Sequence, residues 1–171
     1  MSMPAEIYPI ESIGAGRLAV CPQPASGGDA DARIAEIASC GIGQVVSLLQ
    51  ADEACMLGLE GEGELVRAHG MRFVSFPIAD MGLPDSAADF SALVQRLYRD
   101  LSGGVDTLIH CRGGIGRSGL LAAALLMRDG RDARDALARV SRMRGRQVPE
   151  TAEQGAWLQA NPALGERGGS A

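Results

Sequence analysis

The sequence contains no lysine: all 16 of its basic residues are arginine, set against 21 acidic residues for a formal net charge of −5. An acidic chain is a poor match for nucleic acid or for anionic lipid, both of which call for a basic face. No nucleic-acid partner and no stable membrane association are therefore expected. With lysine absent, arginine is the default surface cation, so arginine counts alone carry little functional weight. Histidine is scarce, with only His69 and His110, and the four cysteines (Cys21, Cys40, Cys55 and Cys111) include no CxxC pair. No zinc-type spacing results, so neither a metal nor any other cofactor is expected. The longest strongly apolar run, Leu120–Met127, is far short of the ~18 residues that span a bilayer. The opening MSMPAEIYPI lacks a basic segment followed by an apolar one, so no secretory leader is expected. Unpaired cysteines in such a chain fit a reducing, cytoplasmic compartment.

What is present is an ordinary globular composition, 46% hydrophobic and 22% charged over 171 residues. That is enough chain for one sizeable core without staples. No repeat is apparent, and the reading is a single domain over residues 1–160 with a flexible tail at 161–171. The stretch up to Gly16 reads as irregular. Strand patterns follow at Arg17–Cys21, Gln44–Leu49, Met71–Ile78 and Val105–Cys111. Helical periodicity falls between them, from Asp29 to Gly41 and over Ser86–Leu101, and then over Leu120–Met127, Arg131–Arg144 and Thr151–Ala160. Residues 51–70 read as helical at both ends with glycines between, or as a loop. Strands alternating with helices give an α/β fold with a mainly parallel central sheet flanked by helices. In such sheets the site lies at the carboxyl ends of the strands.

One of those ends carries HCRGGIGRSG, residues 110–119. Glycines 113, 114 and 116 let successive backbone N–H groups turn inward. The helix start beyond them adds unpaired N–H groups and the positive end of a dipole. Arg117 supplies a planar fork matched to two phosphate oxygens. The same field favours a thiolate at Cys111. The loop Arg112, Gly113, Gly114, Ile115, Gly116 and Arg117 is thus an anion cradle with a nucleophile beneath it. A tight Gly-rich connection with a packed cysteine is the plain alternative.

Breaking a phosphate monoester requires a proton for the departing oxygen. The preceding FPIADMGLPD offers Asp80 and Asp85. Asp80 is preferred, because Asp85 suits a cap or first-turn carboxylate for the helix starting near Ser86.

His110, Cys111, Gly114, Arg117 and Ser118 occupy the fixed positions of HCxxGxxR followed by Ser or Thr. That pattern resembles the signature of the cysteine-dependent protein tyrosine phosphatase superfamily. The stretch PIAD…PD resembles its compact dual-specificity-like group of the kinase-associated phosphatase type, in which the first Asp is the acid. The resemblance covers residues 42–158 and is sharpest at 77–85 and 110–119. It implies a dual-specificity phosphatase-like fold. It implies hydrolysis of phosphotyrosine, and of phosphoserine or phosphothreonine, on a phosphorylated protein through a cysteinyl-phosphate intermediate. Cys111, Asp80, Arg117 and Ser118 would be catalytic, Ser118 by hydrogen bonding to the departing thiolate. Thr151–Gln154 resembles the family's TxxQ element, in which Gln154 would help place water; a helix cap at Thr151 explains the same residues. The chain is too short for a full classical tyrosine-specific domain, and its element order is the reverse of the low-molecular-weight class. Only Arg112 adds charge inside the loop, which weighs against a phosphoinositide substrate. An inactive phosphate-binding module is the other reading, but it would need neither nucleophile nor acid.

Other residues carry less. His69 before Gly70 reads as a helix C-terminal cap. The six arginines between 131 and 146 read as a solvated helix face balanced by Asp132 and Asp135, or else as a basic face near the site. Trp157 reads as a core anchor. Asp52 and Glu53 follow a strand end, from which they could face the pocket, but more often would not.

Overall fold

The computed structural model describes residues 6–24 and 29–166. Among them, five strands form one sheet in the order β1-β2-β5-β3-β4. These are β1 (Tyr8–Ile13), β2 (Gly16–Cys21), β3 (Gln44–Ser47), β4 (Arg72–Ser75) and β5 (Thr107–His110). β5 lies at the centre and runs parallel to β2 and β3, and β3 runs parallel to β4. Only the β1–β2 hairpin is antiparallel. The expected mainly parallel α/β sheet is observed.

Side chains alternate across the strands and split the core into two layers. Leu18, Val20, Val46 and Ile109 face α4 (Ala87–Ser102) and α5 (Gly116–Arg128). Ala19, Val45 and Leu108 face α1 (Ala30–Ser39) and α3 (Glu62–Ala68). Every residue of α5 from Gly116 to Met127 is buried. This explains the unbroken apolar run at 120–127: a helix wrapped by the sheet, α4, α6 (Ala133–Arg144) and α7 (Ala152–Ala160) has no face for water.

Two expectations need correction, and for residues 51–70 the helical reading holds over the loop. The opening stretch is not irregular, because Tyr8–Ile13 is the edge strand β1. Pro9 obscured it, and Pro9 is tolerated because it lies on an edge, beside a register shift between Pro9 and Glu11. Its turn uses Gly14 at φ +58, where a Cβ would lie 2.7 Å from Ser102 Cα. Residues 51–70 are not a loop. They hold α2 (Ala51–Met56) and α3, joined through Gly58 at φ +72. The tail does not begin at 161 either. Pro162–Gly165 forms a 3₁₀ turn whose Leu164 is buried in the α5 layer. The rest of that tail, residues 167–171, and residues 25–28 of the turn after β2 lie outside the described residues.

Among the described residues no helix is long and apolar enough to cross a membrane. The four cysteines are free, with Cys21 and Cys111 buried.

Phe90 closes the α4 side of the core, edge-on to Phe76 at 6.0 Å and to Trp157 at 5.3 Å. Phe90→Ala is expected to lower stability by about 3–5 kcal/mol. Urea unfolding followed by Trp157 fluorescence measures the loss directly; a change under 1 kcal/mol, well below the large-to-small core range, would mean that these rings do not pack as described.

Candidate active site

Cys111 follows the last residue of the central strand, and α5 begins five residues later. The intervening loop is shaped from outside as well as by its glycines. Gly114 adopts φ +69, and a Cβ there would lie 2.5 Å from the Cys21 carbonyl oxygen. Only glycine allows β2 to support the loop so closely. On the outer side, Arg144 donates from Nε to the Gly114 carbonyl (3.1 Å) and from Nη2 to the Gly113 carbonyl (3.0 Å). Its guanidinium stacks 3.9 Å over the Tyr8 ring. Drawing two carbonyls outward leaves the adjoining N–H groups to face the cleft.

The cleft is a cavity of about 180 Å³ lined by Asp80, Met81, Cys111, Arg112, Gly113, Arg117 and Glu150. Residues from the β4–α4 loop, the β5–α5 loop and the segment before α7 therefore meet at the carboxyl ends of the strands, as the fold class implies. Larger cavities lie elsewhere, among them one of about 550 Å³ beside Met127, Arg131 and Leu158 at the other end of α5, but none is lined by the Cys111 loop.

Arg117 is 1% exposed and is held by four groups: Glu53, Asp80 and the carbonyls of Ile78 and Leu48, the last at 3.5 Å. Nη1 and Nη2 form a bidentate pair with Glu53 at 2.7 and 2.9 Å. Nη1 also donates to the Ile78 carbonyl at 2.8 Å, and Nη2 to Asp80 Oδ1 at 3.1 Å. Burial works against the Arg117 charge, but the hydrogen bond to Glu53 and the nearby Cys111, Glu53 and Asp80 outweigh it and raise its pKa. The hydrogen bond from Arg117 in turn holds the Glu53 carboxyl below its ordinary range, against the upward pull of burial. Glu53 is the buried member of a capping box with Gln50 at the start of α2; it does not line the cleft and meets it only through Arg117. Asp52 stays in the exposed first turn.

Beneath the loop, fully buried His110 lies between two acceptors. Its Nδ1 is 3.2 Å from the Cys111 carbonyl oxygen and its Nε2 is 2.5 Å from Glu62 Oε1. The imidazole therefore bridges the Glu62 carboxyl of α3 and the backbone of the nucleophile. The ring is thereby fixed against the backbone of the nucleophile.

Asp80 lines the cleft with about half of its side chain exposed. Asp85 does not line it. It is exposed and precedes Ser86, whose hydroxyl, not the Asp85 carboxylate, caps α4 by accepting from Asp89 N. Ser118 Oγ is buried and has no hydrogen-bond partner among the described residues. Gln154 is fully buried but does not line the cleft. Its Oε1 accepts from Thr151 N in a capping box, and its Nε2 donates 3.0 Å to the Gly82 carbonyl, two residues beyond Asp80. As placed, Gln154 ties the acid loop at Gly82 to the start of α5, where a Cβ on Gly116 would lie 3.2 Å from its Oε1. His69 caps α3 as expected and pairs with Asp31 at 2.8 Å.

Sequence reasoning missed Glu62, Arg144 and Glu150. Two carried a signal. Ala136, Val140 and Arg144 recur every four residues on the buried stripe of α6, so Arg144 was never on the solvated face. Glu62 and Val66 share the buried face of α3 in the same way. Glu150 carried none. Among the described residues no group of three or more His, Cys, Asp or Glu side chains is arranged to hold a metal.

The model of a family described as PTP-SAK, Swiss Army Knife protein, DSP-PTPase phosphatase domain, matches residues 9–160. Cyclin-dependent kinase inhibitor 3 of Homo sapiens is 36% identical over 92 residues, 54% of this chain and 43% of that protein. The chain spans less than half the length of the curated relatives it matches. Among solved structures, a kinase associated phosphatase with serine substituted for its catalytic-site cysteine superposes with a TM-score of 0.85. It is 26% identical, and the match covers 98% of this chain and 99% of that one. Tk-PTP in its active form superposes at 0.77 with 28% identity, covering 96% of this chain and 99% of its own.

Glu53→Ala leaves the buried Arg117 short of its main partner and is expected to cost about 3 kcal/mol at neutral pH. The sign of the pH dependence follows from the lowered native pKa. The contribution is complete above the ordinary carboxylate range and is lost as pH falls through the lowered native value. Urea unfolding of both proteins from neutral pH downward should show the gap closing in acid. A gap that is constant with pH would contradict an ionised Glu53.

Proposed function

The chain belongs to the PTP-SAK family of DSP-PTPase phosphatase domains, and we propose that it hydrolyses phosphate monoesters on proteins, phosphotyrosine first and phosphoserine and phosphothreonine besides, through a cysteinyl-phosphate. The observation that carries this reading is the meeting of Cys111, Arg117 and Asp80 in one cleft at the start of a buried helix. A module that only binds phosphate would need neither the thiol nor the half-exposed acid beside it. We read the phosphatase domain, expected over residues 1–160, as running on through the packed turn at Pro162–Gly165, and its unpaired cysteines suit a cytoplasmic setting.

The phosphate enters with its oxygens against the loop amides and the guanidinium of Arg117. One oxygen takes over the Nη2 hydrogen that Asp80 Oδ1 now accepts, and this releases the carboxyl to face the ester oxygen. The Cys111 thiolate attacks phosphorus, the phosphorus–oxygen ester bond breaks, and Asp80 gives its proton to the departing oxygen. Arg117, fixed by Glu53, bears on the equatorial oxygens, where positioning and electrostatics dominate. In the second step water attacks phosphorus, Asp80 takes its proton, and the sulfur–phosphorus bond breaks to return the thiolate. Ser118, whose hydroxyl is not used by another group, donates a hydrogen bond to that thiolate. Gln154 anchors the acid loop through Gly82 and reaches the water only by releasing that carbonyl.

The expected result is metal-independent hydrolysis of p-nitrophenyl phosphate, abolished in Cys111→Ser with phosphate binding retained. Arg117→Lys keeps the charge but loses the fork, and should lose both affinity and turnover heavily. Substantial turnover in Cys111→Ser would rule out the covalent route.

The two steps are separable. Asp80→Ala should slow the first by ~10²–10⁴-fold for alkyl leaving groups, and far less for p-nitrophenolate, which needs no proton. Ser118→Ala should slow the second and produce a burst of p-nitrophenol before a slow steady rate. The assignment of Asp80 fails if Asp85→Ala, not Asp80→Ala, shows the leaving-group dependence.

A further inference from the structure

We propose that Glu150 sets charge selectivity at the mouth of the cleft, favouring phosphoesters flanked by a cationic group over those flanked by anions or further phosphates. The inference rests on the phosphatase reading and narrows its substrate class. Glu150 follows buried Val148 and half-buried Pro149 and is itself exposed, yet it lines the same cleft as Cys111 and Arg117. The two glycines beneath it leave room for its carboxylate. A Cβ on Gly116 would lie 2.5 Å from its Oε2, and one on Gly113 would lie 3.9 Å from its Oε1. The carboxylate therefore stands over the rim of the phosphate loop, where α5 begins. It makes no hydrogen bond or ion pair with the described residues, so its charge is not spent inside the protein.

The balance of charge at the rim decides what this does. The cleft is lined by two cations, Arg112 and Arg117, and two carboxylates, Asp80 and Glu150. Arg117 is already matched by Glu53 behind it. Arg112 is the remaining cation among the described lining residues, and it faces two acids. The phosphate that reacts is served by the loop amides and by Arg117. A second phosphate or a neighbouring carboxylate would meet the Glu150 carboxylate with Arg112 alone in compensation, since Asp80 carries the proton for the leaving group. Polyanion sites are built the other way, with cations in excess. A guanidinium or ammonium beside the phosphoester would instead pair with the Glu150 carboxylate in a geometry the rim leaves open. The preference acts within one screening length of the rim, so it weakens with added salt.

The test compares kcat/KM for three phosphotyrosine peptides that differ only in carrying Arg, Ala or Asp beside the phosphotyrosine, and for a soluble inositol polyphosphate. The proteins are wild type, Glu150→Gln and Glu150→Arg, at low and at physiological ionic strength. Wild type should favour the Arg peptide over the Asp peptide by about tenfold at low salt, mainly through KM, and should turn over the inositol polyphosphate least. Glu150→Gln should bring the peptide ratio to about twofold or less, and Glu150→Arg should invert it. The inference is overturned if wild type shows no charge preference, or if Glu150→Gln scales every substrate by one factor and leaves the ratios unchanged. If wild type turns over none of these substrates and no p-nitrophenyl phosphate, the phosphatase reading itself fails and takes the inference with it.

Discussion

The arrangement depends on one constraint: between β5 and α5 the backbone must turn with its N–H groups inward and its carbonyls outward. A chain does not adopt this shape unaided, because each outward carbonyl then needs a partner of its own. Arg144 supplies partners for two of them, the carbonyls of Gly113 and Gly114. Gly114, at positive φ and pressed against the Cys21 carbonyl, supplies the turn. The remainder of the site attaches to this frame. The buried helix contributes its amino end, and Cys111 sits at the base because β5 is the central strand.

A second layer of constraint is electrostatic. Two buried partnerships flank the loop, the ion pair of Arg117 with Glu53 and the hydrogen-bonded pair of His110 with Glu62. Each joins an element on the far side of β3 to the Cys111 loop, across 64 and 48 residues of sequence. Buried pairs of this kind add little net stability, yet breaking one strands a charge in the interior. Their value here lies in fixing direction. Glu53 aims the guanidinium, and Glu62 fixes the imidazole against the Cys111 backbone. Asp80 and Glu150 are held by nothing comparable, and they are the half-exposed and exposed groups that meet the substrate.

What the sequence disclosed follows the range of the signals. The parallel strands, the buried helix at 120–127 and the loop at 110–119 are written in contiguous residues, and each was legible. Asp80 was legible because its loop lies next to a clear strand. β1 was hidden because Pro9 argues against a strand unless its edge position is known. Arg144 was hidden because a run of arginines in a lysine-free chain looks like ordinary surface; only the four-residue spacing from Ala136 and Val140 set it apart. Glu53 and Glu62 have partners dozens of residues away, so no local pattern could say that they were buried. Gln154 shows the same limit, since the cap at Thr151 was readable but its bond to Gly82 was not.

The central claim is that phosphorus passes through the sulfur of Cys111. The direct measurement is rapid acid quench during turnover of a phosphorus-labelled phosphotyrosine peptide, followed by proteolysis and mass mapping of the label. The account requires the label on the peptide that contains Cys111, carried through a sulfur–phosphorus bond, and its loss in Cys111→Ser. Phosphate released at full rate with no labelled peptide at any quench time, or label on a different residue, would contradict it.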